Sequence, residues 1–170
     1  MDGKAYIEDK YPNIIFAKDG EIYNFNGEKV LVIGGAYSID KDYRLMRGYK
    51  WFSSEQPTDT IKTYVETQLD KNNWNVDIVL THTCPLKYEP REWFISGINQ
   101  KNIDKSTEKW LDTIENKLNY KKWYCGHFHG CKKIDKLQFM FENISEFNYQ
   151  PVFEKYDRVK SQTHQLASGS

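Results

Sequence analysis

A chain of 170 residues carrying 24 basic and 24 acidic side chains is one domain by size, long enough to close a hydrophobic core without a disulfide or metal staple. The balanced charge, with aromatics not interleaved among Arg or Lys runs, argues against direct nucleic-acid binding, and no apolar run reaches the length of a membrane span. With no charged-then-apolar leader pattern, the three cysteines read as thiols or ligands of a cytoplasmic protein rather than a disulfide framework. The aromatic share of 15% is high, and it implies a large aromatic core or a surface made to meet another protein.

In chain order, Lys4 to Ile7 and Ile14 to Ala17 are short strand-like pieces separated by Pro12-Asn13. Asp19-Gly20 and Asn26-Gly27 are hairpin signals, because both pairs tolerate the positive φ of a tight turn. Between them Glu21 to Phe25 alternates as a half-buried strand. Lys29 to Ile33 then runs apolar into Gly34-Gly35, as a strand covered on both faces does. The stretch from Ala36 to Arg44 reads as a loop at the end of that strand, a place where α/β sheets carry function.

Ile61, Tyr64, Val65, Gln68 and Leu69 share one helical face, with Thr58 as N-cap and Asn72-Asn73 as the stop. Asp77 to Leu80 is a short buried strand running into Thr81-His82-Thr83-Cys84-Pro85. Residues 86–105 are irregular, with Trp93, Phe94 and Ile95 their one dense apolar group. A second helix starts at Ser106 or Thr107, its inner face Trp110, Leu111, Ile114 and Leu118. Lys122 to Cys125 is a strand, followed by Gly126-His127-Phe128-His129-Gly130 and a hairpin around Asp135-Lys136. From Ser145 the pattern dissolves into what reads as a flexible tail. The order predicts an α/β (α+β) fold, a mixed β-sheet with helices on one face.

Three of the four histidines, His82, His127 and His129, fall just beyond two β-like runs. If those strand ends meet, neutral imidazoles suit a divalent ion such as zinc, iron, manganese or nickel. Cys84 and Cys125 are candidate softer ligands, although buried cysteines act more commonly as small hydrophobes. In the same way, histidines often cap strands, and Asp40, Lys41 and Arg44 fit a solvated loop as well as a cleft. Nucleophilic catalysis by Cys84 with His82 or His127 lacks an orienting third group in the sequence.

At these residues the chain resembles the calcineurin-like metallophosphoesterases. Gly126-His127-Phe128-His129 resembles the family's terminal Gly-His-x-His motif, and Thr81-His82-Thr83-Cys84-Pro85 its upstream strand-end histidine. The run from Gly34 to Lys41 is similar to a segment of a bacterial and phage branch. The resemblance covers residues 1–143, leaving 144–170 as an extension, and implies half of a metallophosphoesterase sandwich. It also implies that His82 and His127 bind one metal and His129 a second, with Asp40, Lys41 and Arg44 facing the cleft.

The family's Asp-x-His, Gly-Asp-x-x-Asp and Gly-Asn-His strings are absent here. They supply the bridging carboxylate, the remaining ligands and the acid histidine. Two-metal hydrolysis needs ions held about 3.5–4 Å apart, which three histidines without a bridging carboxylate do not provide. The expectation is therefore a single divalent ion, zinc first and manganese or iron next, with Cys84 as a possible extra ligand and no catalytic residue. The protein would be a catalytically incomplete binding module. Its partner is another protein, or a second copy docked on the exposed sheet. A phage-encoded inhibitor of a host defence nuclease, of the anti-CRISPR type and resident in the host cytoplasm, is one such role. The alternative is the C-terminal part of an active two-metal phosphoesterase hydrolysing phosphomonoesters or phosphodiesters. A plain structural domain without metal is the third reading.

Overall fold

The structure is a computed structural model that describes residues 4–144. The tail expected from Ser145 onward lies outside the described residues. Two layers carry the fold. A six-stranded mixed sheet has the order β3-β4-β5-β6-β8-β7, formed by β3 (Ile22–Phe25), β4 (Glu28–Ile33), β5 (Ile78–Thr81), β6 (Lys122–Cys125), β7 (Lys132–Ile134) and β8 (Leu137–Phe139). Its inner strands β4, β5, β6 and β8 pair parallel, and the edge strands β3 and β7 pair antiparallel. Helices α2 (Asp59–Lys71) and α3 (Ser106–Glu115) connect β4 to β5 and β5 to β6. The mixed α/β architecture expected from the sequence is the one observed.

Period-two alternation explains how the sheet divides its side chains. Leu31, Ile33, Val79, Trp123, Leu137 and Phe139 join Val65 and Leu69 of α2 and Leu111 and Ile114 of α3 in one buried cluster. Both long helices therefore lie against the same face. Val30, Ile78 and Tyr124 form a second, smaller cluster with Leu80 and Met140. Burying each such aliphatic side chain contributes about 1.5–3 kcal/mol, so the helical face carries most of the stabilisation.

The turn residues divide in an informative way. Asn26-Gly27 makes the expected two-residue hairpin between β3 and β4, with φ of 53° and 90°. Asp19-Gly20 does not join paired strands. Instead β2 (Ile15–Ala17) pairs with β1 (Ala5–Ile7) in a separate two-stranded sheet. The Asp19 carboxylate accepts a hydrogen bond from the Gly34 amide at 2.6 Å, and the Gly20 amide donates to Val32 at 2.8 Å. Gly20, at φ 81°, passes so close to α2 that a Cβ would meet Tyr64 and Val65 at 2.9 Å. A close approach, rather than a hairpin, is what selects glycine there.

One further difference concerns the helices. The loop expected over 36–44 ends in a short helix α1 (Lys41–Met46), none of whose residues is buried. Thr58 caps α2 as expected, accepting from the Ile61 amide, and α3 begins at Ser106 as expected, with Lys105 at an N-cap position that makes no side-chain cap bond. Asp104 meets the Ser106 amide there instead, at 2.9 Å.

Candidate metal centre

The strand pairing brings the two histidine segments together. β5 and β6 are parallel neighbours in register, Thr81 opposite Cys125, so the residues after each emerge side by side. The Gly126 amide donates to the His82 carbonyl at 2.9 Å and locks the two exits. The chain then takes a left-handed step at His127 (φ 69°) and another at His129 (φ 49°). Between them Phe128 turns inward and packs edge-on against Phe139 at 5.9 Å. One apolar anchor thus holds two rings on a strained backbone. Gly130 is set by packing, because a Cβ would sit 2.8 Å from the Trp93 ring.

His82 and His127 meet. The Nδ1 of His127 and the Nε2 of His82 are 3.2 Å apart, and the rings approach edge to face. Desolvation, together with the neighbouring His82 and His129 rings, pushes the His127 pKa down to about 4. His82 is shifted the same way by desolvation and by His129. Both are neutral at physiological pH, the form in which imidazole binds metals.

The remaining expected site residues are placed differently. His129 is exposed and stacks on Phe141, centroids 5.1 Å apart and planes 17° off parallel. Cys84 is fully buried in the core cluster with Cys125, and desolvation raises its thiol pKa. Of the three loop residues expected at the cleft, Asp40 lines it, while Arg44 pairs with Asp40 at 2.7 Å without lining it. Lys41 lies over the Trp51 ring at 4.1 Å. Among the described residues, no point gathers three or more His, Cys, Asp or Glu side chains.

His127 of the pair, together with His129, lines a cleft of about 600 Å³ at the C-terminal ends of the parallel strands, where α/β sheets bind ligands. Its walls include Tyr37, Trp93, Phe94, Ile103 and Phe128. Glu89, Lys105 and Glu108 add charge. Lys105 pairs with Glu89 at 2.8 Å and lies over the Phe94 ring. Sequence reasoning did not single out Glu108, although it sits three residues before Leu111 on the inner face of α3. An acidic residue at an apolar helical position is the signal that could have found it.

Comparison with protein-family models, with curated proteins and with solved structures returns no match for this chain.

Proposed function

We propose that the chain is a metal-binding, metallophosphoesterase-like module in which His82 and His127 hold one divalent ion, zinc before manganese or iron. What supports the reading is the 3.2 Å separation of their ring nitrogens. Two nitrogens about 2.0–2.1 Å from a common zinc at a near-tetrahedral angle lie about 3.3 Å apart. Two protein ligands leave open positions toward the cleft. His129 could fill one by turning off Phe141, which makes it the third ligand candidate.

The ion fixes the two loop exits in place for a binding surface. Two-metal phosphoester hydrolysis of the kind the resemblance implies would take a second ion and a bridging carboxylate. The module reading therefore stands ahead of the enzyme reading. The enzyme reading keeps one argument: His127 lines a ligand-sized cleft, so a partner supplying carboxylates would complete a phosphoesterase site.

Elemental analysis of the purified protein is the first test. Wild type is expected to retain about one zinc per chain, and His127→Ala to lose it, as befits a centre with so few protein ligands. Equal, negligible zinc in both would remove the metal reading. Hydrolysis of bis(p-nitrophenyl) phosphate by wild type with added manganese, lost in His127→Ala, would instead select the enzyme reading.

A further inference from the structure

We propose that the cleft and the adjoining helix α1 form one docking surface for an acidic peptide segment of a partner protein. The segment's apolar side chains sit in the cleft, and its carboxylates meet the cations of α1. This partner deepens the binding-module reading above, on which it rests, and it needs no metal.

The cleft offers apolar surface rather than charge. Glu108 is 4% exposed, and its carboxylate is turned to the buried Thr83 hydroxyl at 2.9 Å. Lys105 and Glu89 neutralise each other at 2.8 Å, with 19% and 6% of their side chains exposed. What remains is the wall of Trp93, Phe94, Phe128 and Ile103. Ile39 and Ile95, at 41% and 60% exposed, carry that lining out to the surface. A cleft of about 600 Å³ with such walls takes bulky apolar groups.

The charge lies next to it. Asp40 lines the cleft and pairs with Arg44, and Lys41 lies 5.8 Å from the ring of Tyr37, another lining residue. From there contacts run outward along the chain. The Tyr49 amide donates to the Arg44 carbonyl at 2.8 Å, the Tyr43 and Tyr49 rings meet at 6.4 Å, and Arg47 lies over Tyr43. Residues 45–50 are all exposed, so this turn projects from the body. The stretch 40–50 sets Lys41, Arg44, Arg47 and Lys50 against Asp40 and Asp42, in a chain that is neutral as a whole. Among the described residues no carboxylate pairs with Lys41, Arg47 or Lys50.

Exposed arginine, tyrosine and methionine side by side are what protein interfaces concentrate. The uncompensated positive charge selects an acidic partner. A bilayer would accept the projecting Leu45 and Met46 but would not follow the surface into the cleft. Nucleic-acid bases need free aromatic faces, and Arg47 already lies over that of Tyr43.

The test selects peptides from a random dodecamer library displayed on phage against the immobilised full chain, then measures the enriched peptides in solution by fluorescence anisotropy. Enriched peptides are expected to carry net negative charge and at least one aromatic or leucine anchor. Raising sodium chloride from about 50 to about 500 mM is expected to weaken them about ten-fold or more. So is Arg47→Glu combined with Lys50→Glu, a change confined to exposed side chains. Ile95→Asp, at the cleft, is expected to do the same. A further arm leaves the protein untouched: peptides with Asp and Glu replaced by Asn and Gln are expected not to bind. No enriched peptide, enrichment of neutral or basic peptides, or affinity indifferent to these variants would overturn the proposal. Binding to phosphatidylserine-containing vesicles, lost in the double variant, with no enriched peptide would hand the surface to a membrane. Zinc retained with no enriched peptide sinks the docking surface alone. Acidic peptides bound by a protein that holds no zinc sink the metal reading alone.

Discussion

His127 and His129 each take a backbone conformation that β-carbon-bearing residues avoid, at about 1–2 kcal/mol apiece. What holds them is the packing around Phe128 and Gly130. Gly130→Ala would drive a methyl group into Trp93, a ring that already packs edge-on against Phe139 at 5.5 Å and has nowhere cheap to move. The expected cost is about 1–3 kcal/mol, the usual penalty for overpacking, read by urea denaturation. On the proposed metal reading, zinc occupancy should fall with it, since the same shift displaces His127. Glu108 gives a second residue-level prediction. Desolvation comes first among the causes that raise its pKa above the ordinary 4.5. The folded state then holds its proton at pH values where the unfolded state has released it. Stability on this account falls as pH rises above about 4.5. Glu108→Gln removes that term, so the melting temperature of the variant relative to wild type should climb from pH 4.5 toward neutrality. A pH-independent difference would mean that Glu108 ionises normally.

Among the elements, α2 is the simplest to probe, because its N-cap works as the sequence implied. Thr58→Ala removes the acceptor for the Ile61 amide and should cost about 1 kcal/mol, measured by thermal or urea unfolding. The same helix illustrates what the sequence could convey. Its 3.6-residue stripe and cap are local, as are the apolar runs of β4, β5 and β6, and all were legible. The meeting of His82 with His127 was legible too, since both followed such runs. Long-range competition hid the rest. Asp19-Gly20 has hairpin chemistry, yet Gly34 takes its carboxylate and α2 takes its bare Cα face. α1 buries nothing and so leaves no apolar period; an Asp40–Arg44 ion pair one turn apart ties its first turn together. The cleft is built from the irregular segment 86–105, where no period exists to be read. Glu108 carried one local signal, an acidic residue in register with the apolar face of α3, and its burial follows from the packing of that face against the sheet.

At the scale of the whole molecule the question is where a partner would dock. The β7 edge of the large sheet presents Lys132 and Lys133, both exposed, and lysines on an edge strand discourage further strand addition. The β1–β2 hairpin is the opposite case. Ile7, Ile14, Ile15 and Phe16 are each half-exposed or more, and an isolated two-stranded ribbon is marginal in water. Its register sets Tyr6 opposite Phe16 and Ile7 opposite Ile15, so apolar residues lie on both sides of the ribbon. Leu45 and Met46 of α1 add exposed apolar surface elsewhere. A self-association of this protein would therefore run through the hairpin rather than through a sheet edge. Light scattering after size exclusion, at tens of micromolar protein, should give a mass above that of the monomer. Phe16→Glu places a charge in the middle of that surface and should return the monomer, with the melting temperature little changed because Phe16 contributes little to the core. A wild type that stays monomeric at all concentrations would reserve the hairpin for a different protein. A dimer unaffected by Phe16→Glu would move the interface to the outer sheet face around Leu80 and Met140.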